Sequence, residues 1–102
     1  MTRAIDLSQD ELAIVQAILR ARLPPATQAW VFGSRATGTA RRYSDLDLAV
    51  EADKPLGLDV LSDIAAAMSE SDLPYKVDVI DLRAIAQGFR AIIQPELITL
   101  AF

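Results

Sequence analysis

Apolar positions along the chain switch between a helical period and short extended runs, and the switches mark out its elements. Leu12, Ile14, Val15, Ile18 and Leu19 form a wide stripe at helical spacing. Ser8 with Glu11 three residues later reads as a capping box, with Leu7 and Leu12 at the staple positions. Arg20 and Arg22 fall where cations suit the helix dipole, and Pro24-Pro25 stops the run. A first helix is therefore expected over about residues 8 to 22. Gln28 to Phe32 is a nearly continuous apolar run, as in a strand covered on both faces. Gly33 allows a tight turn, and Ser34 is expected to cap a short helix from Arg35 to Thr37 that Gly38 ends.

Residues 39 to 43 read as an exposed basic loop feeding a strand from Asp45 to Glu51, and Pro55 and Gly57 mark the loop after it. Leu61, Ile64, Ala65 and Met68 define the buried face of a second long helix, about Leu58 to Ser71, which Leu73-Pro74 breaks. Tyr75 to Leu82 alternates as a strand, with Val77 and Val79 on one face and Lys76, Asp78 and Ile80 on the other. Helices are expected over Arg83 to Gln87 and Phe89 to Gln94, separated by Gly88. Leu97 to Phe102 fits a strand turn and a helix end equally well. The expected fold is α/β (α+β), a small mixed β-sheet of about three strands flanked by helices, with residues 1–102 forming one domain.

Composition changes this picture mainly by exclusion. The formal net charge of -4 and pI of about 4.6 argue against a general nucleic-acid binder, which carries a basic surface. The chain has no cysteine and no histidine, so thiolate metal sites, Ser-His-Asp triads and Cys-His dyads are excluded within it. Any catalysis must rest on carboxylates, hydroxyls, lysine, arginine or a metal. The amino-terminal stretch lacks an apolar signal core and no apolar run approaches ~20 residues, so no membrane span and a cytoplasmic location are expected.

The candidate chemistry lies between Gly33 and Asp47. Asp45 and Asp47, two residues apart in a strand, point the same way ~7 Å apart, while Leu46, Leu48 and Val50 point into a core. Paired carboxylates repel unless cations or donors stand between them. With its strand as a neighbour in register, Asp78 comes within ~5 Å of the pair. Three such carboxylates suit Mg²⁺, a hard ion that shares oxygen ligands with substrate phosphates. Two such ions can clamp the attacking and leaving oxygens of an in-line displacement. The Gly33-Ser34 turn can bring backbone N–H groups and a hydroxyl to a phosphate, and Arg35 is placed to add a bidentate contact.

Gly33-Ser34, then ten residues, then Asp45-Leu46-Asp47 and a later strand Asp78 together resemble the nucleotidyltransferase superfamily that includes DNA polymerase beta. More narrowly, GSRATGTARRYSDLDLAV is similar to the minimal nucleotidyltransferase (MNT) family, whose short members are commonly antitoxins encoded beside HEPN-domain toxins. The similarity covers about residues 25 to 82. It implies a polymerase beta-like fold and Mg²⁺-dependent transfer of AMP from ATP to a hydroxyl, the acceptor being a tyrosine of the partner toxin. Under it, Asp45 and Asp47 hold two Mg²⁺ ions, Asp78 completes the shell and helps deprotonate the acceptor, and Gly33 and Ser34 hold the triphosphate.

Plainer readings stand beside each of these. The aspartates fit the solvated face of an edge strand, Lys76 can pair with Asp78, and Asp81 suits a strand end or a cap. Arg35 also fits a surface position, and Arg41 and Arg42 fit solvated loop charges. Trp30, Phe32 and Tyr75 are most simply core. Two other functions fit the motif: an antitoxin that neutralises its partner by binding alone, and a transferase acting on a small molecule of the aminoglycoside type.

Overall fold

The capping box forms as the sequence requires. Ser8 accepts from the Glu11 amide, and the Glu11 carboxylate accepts from the Ser8 amide, both at 3.1 Å. Helix α1, Gln9–Arg22, grows from this cap and buries Val15 and Leu19. The computed structural model describes residues 4–102, so the first three residues of the stretch expected to lack a signal core lie outside it. After α1 come β1 (Gln28–Phe32), α2 (Ser34–Thr37), β2 (Leu46–Glu51), α3 (Leu58–Ser69), β3 (Val77–Asp81) and α4 (Gln87–Ile93). A 3-10 turn, Gln94–Glu96, then leads to β4, Ile98–Thr99.

The sheet has four strands in the order β3-β2-β1-β4, one more than the sequence pattern implies. The extra strand is two residues long and pairs Trp30 with Thr99 and Val31 with Ile98. It is too short to show a period of its own. Strands β1 and β2 run antiparallel, whereas β2 and β3 run parallel and are joined through α3, so the sheet is mixed as expected.

Alternation along the strands sorts side chains onto two faces. Ala29, Val31, Leu46, Leu48, Val50 and Val77 face α1 and α3 and join Val15, Leu19, Ile64 and Met68 in the main core. Leu46 and Leu48 are fully buried there, each contributing roughly 1.5–3 kcal/mol of transfer free energy. The other face carries Phe32 and Ala49 with Leu82 and Ile93 in a smaller cluster, bordered by Trp30, Ile80, Ile85 and Leu97. The turn after β3, α4 and the turn that follows it cover this face in part. Phe89 and Ile92 of α4 stay exposed.

Local expectations fail at three points. The cap of α2 is Gly33, not Ser34: Ser34 is the first helical residue and no side chain caps the helix. Gly88 lies inside α4, and Arg83 to Ile85 form a turn, so there is one helix where two were expected. Gly88 meets no obstructing neighbour, and a single glycine costs a helix only about 1 kcal/mol. Asp45 stands just before β2, which begins at Leu46.

Candidate active site

Strand register assembles the carboxylates. Asp47 lies opposite Asp78 in the parallel β2–β3 ladder and opposite Phe32 in the antiparallel β1–β2 ladder. Neighbouring strands are about 4.8 Å apart, so the two aspartates share one face at ordinary strand spacing. Asp45, exposed, precedes them at the same end of the sheet. That end is also where β1 finishes and the chain turns at Gly33.

Gly33 is placed against Asp47 in a way only glycine permits. Its φ of 74° with ψ of -157° is a conformation that side chains rarely adopt. A Cβ added there would overlap the Asp47 carboxylate. The glycine thus meets both demands of the site, a turn and a close approach of backbone to a carboxylate. The Gly33 amide donates 2.9 Å to the Glu96 carboxylate, which arrives from the turn after α4. Glu96 is absent from the sequence reading because no local pattern connects it with Gly33, 63 residues away.

Asp47 feels this crowding. Burial foremost, then the negative fields of Asp78, Asp45 and Glu96, push its carboxyl above its ordinary pKa, and Lys76 opposes them. Lys76 pairs with Asp78 at 3.4 Å, both side chains being well exposed, so the bond is weak and replaceable. Among the described residues no three His, Cys, Asp or Glu side chains already stand in metal-holding geometry. The donor set nonetheless fits a hard divalent ion: oxygen ligands only, and a carboxyl whose burial and negative neighbours both raise its pKa.

Arg35 corrects the expectation made for it. Its side chain is buried, and its guanidinium donates to the carbonyls of Ser44 (3.0 Å), Asp6 (2.9 Å) and Arg42 (3.2 Å). It also stacks 3.9 Å over the Tyr75 ring. A guanidinium committed in this way is not presented to a phosphate. Arg35 instead pins the 41–44 loop that delivers Asp45 and ties it to the amino-terminal segment and to the approach to β3. Asp81, as the plainer reading has it, is a strand-end acceptor: it is buried and takes the amides of Leu56 (2.8 Å) and Arg83 (2.9 Å). Phe32 and Tyr75 are buried as expected.

A turn glycine against one of a pair of carboxylates, with a third in register on the next strand, is the arrangement that the motif required. A family model described as "Polymerase beta, Nucleotidyltransferase" matches residues 14–100. The chain belongs to that nucleotidyltransferase family. It is 44% identical over 90 residues, spanning 88% of this chain and 78% of the relative, to the probable protein adenylyltransferase MntA of Haemophilus influenzae. It superposes with a TM-score of 0.77 on a crystal structure of a toxin-antitoxin with AMP-PNP, at 28% identity over 88% of this chain and 72% of that one. A tri-AMPylated HEPN toxin of Shewanella oneidensis in complex with an MNT antitoxin gives a TM-score of 0.72 at 24% identity, covering 93% of this chain and 72% of that one. That last likeness is one of fold.

Proposed function

We propose that the chain is an Mg²⁺-dependent adenylyltransferase that moves AMP from ATP onto a tyrosine hydroxyl of a partner HEPN toxin and thereby acts as its antitoxin. The observation that carries this reading is the Asp47–Asp78 register beside Gly33, with Asp45 at the same end of the sheet. The 44% identity to a probable protein adenylyltransferase supports AMP as the group moved, and the likeness to a toxin-antitoxin holding AMP-PNP supports a triphosphate as donor. Asp45 and Asp47 would hold Mg²⁺, with Asp78 completing the set once it turns from Lys76. The bound ions supply charge neutralisation for the triphosphate and the leaving pyrophosphate.

The chain's own groups do the rest. Gly33 lets backbone come close to the phosphates without a Cβ in the way, and the Ser34 hydroxyl is the nearby donor. Asp78 is the group to take the proton of the acceptor hydroxyl. Arg35 acts only by holding the loop that presents Asp45. We place residues 1–102 in one minimal domain working in the cytoplasm; no helix among the described residues is long and apolar enough to cross a membrane.

Incubation with ATP, Mg²⁺ and the HEPN partner, followed by intact mass measurement of the partner, tests this. The mass of one or more AMP groups on the toxin is expected. An unmodified toxin that the chain still silences would leave binding alone as its mode of action. Exposed Phe89, whose ring meets that of Phe32, the register partner of Asp47, favours some docking contribution under either reading.

A further inference from the structure

The Gly33 amide already has an anion on it. Glu96 sits on the turn after α4, far from Gly33 in sequence, and its carboxylate takes the Gly33 N–H at 2.9 Å in a partly buried setting. A charge-assisted bond of this kind is about twice as strong as a neutral one. Gly33 therefore lies between two carboxylates, Glu96 on its amide and Asp47 against its Cα. Asp47 also feels the negative field of Glu96. A hydrogen bond alone could come from a neutral side chain or a water. A carboxylate here adds charge of the same sign as the ligand that the turn is proposed to receive.

We infer that Glu96 is a positioning residue that occupies the phosphate-binding amide of the turn until a polyphosphate displaces it, so that it weakens and screens triphosphate binding. The inference rests on the nucleotidyltransferase reading and adds a gate to it. Without a ligand the Gly33 amide is satisfied by Glu96, while its carbonyl accepts from the amides of Ala36 and Thr37. A triphosphate must break that bond, and the freed carboxylate moves away from Asp47. Ligands without a polyphosphate have nothing to exchange for it.

Glu96→Gln tests this, since the amide oxygen can still accept from Gly33 while the charge is gone. Binding of AMP-PNP and of adenosine is measured by calorimetry in Mg²⁺, with thermal melting to confirm that the variant folds. Glu96→Gln should bind AMP-PNP about fivefold more tightly than wild type, the difference between a charged and a neutral hydrogen-bond acceptor, and adenosine equally well. Glu96→Ala should tighten AMP-PNP binding in the same direction if it stays folded. Wild type that binds AMP-PNP while a folded Glu96→Gln binds it no better overturns the gate alone. A change shared equally by adenosine also overturns it, since that is the mark of a merely structural role. Wild type that binds no AMP-PNP overturns the underlying reading and the gate with it.

Discussion

The two faces of the sheet each bury an aspartate, and they treat it in opposite ways. On the α1/α3 side, Asp81 is fully enclosed, and two backbone amides donate to its two oxygens. On the other side, Asp47 is half-buried among Asp78, Asp45 and Glu96, and its carboxyl is pushed towards protonation. Burial alone does not distinguish a structural carboxylate from a functional one. What distinguishes them is whether the protein itself supplies the balancing donors. It does so for Asp81; around Asp47 it sets three negative neighbours against one lysine, an imbalance that the proposed metal would relieve.

Arg35 falls on the structural side of this divide, and removing it gives the largest expected effect on folding. Arg35→Ala strips donors from three backbone carbonyls and a cation from the Tyr75 ring, for about 3 kcal/mol of stability by denaturant titration. A loss below 1 kcal/mol would place Arg35 among surface charges after all. Gly33→Ala should cost about 2 kcal/mol, because it forces a side chain into a glycine conformation and onto Asp47. It should also impair nucleotide binding, which separates it from an ordinary turn mutation.

Cation dependence sharpens the contrast further. Mg²⁺ at about ten times its dissociation constant should stabilise the wild type by about 1.4 kcal/mol, read as a rise in Tm, and should leave Asp47→Asn nearly unmoved. The smallest effect concerns pH. Because the folded-state pKa of Asp47 is raised, its contribution to stability is full below the ordinary carboxylate value and is lost as pH rises through the raised one. The Tm advantage of Asp47→Asn over wild type should therefore widen between about pH 4 and pH 7. A constant difference across that range would contradict the crowding described for this carboxyl.

Much of this was legible in the chain itself, because the signals were local or periodic. The Ser8–Glu11 box, the three longer strands and α3 follow from spacing within a few residues, whereas the shared face of Asp47 and Asp78 follows only once β2 and β3 are taken as neighbours in register. Features set by tertiary contact were not. Strand β4 exists only because β1 offers it an edge. Glu96 reaches Gly33 through the fold, and Arg35, expected at a phosphate or on the surface, is buried because the Ser44, Arg42 and Asp6 carbonyls and a tyrosine ring meet around it. Ser34 looked like a cap by residue type, but the positive φ of Gly33 moved the helix start back by one position.

The central claim is that the Asp47 face performs transfer while the Asp81 face only holds the fold. Label transfer from α-labelled ATP to the HEPN partner, per folded molecule, should be measured for wild type, Asp47→Asn and Asp81→Ala alongside their denaturant stabilities. The account predicts that Asp47→Asn loses about a thousandfold in transfer with its stability intact, as expected when a charge-stabilising ligand is removed. Asp81→Ala should lose about 2–3 kcal/mol with transfer per folded molecule little changed. Undiminished labelling by a folded Asp47→Asn would contradict it.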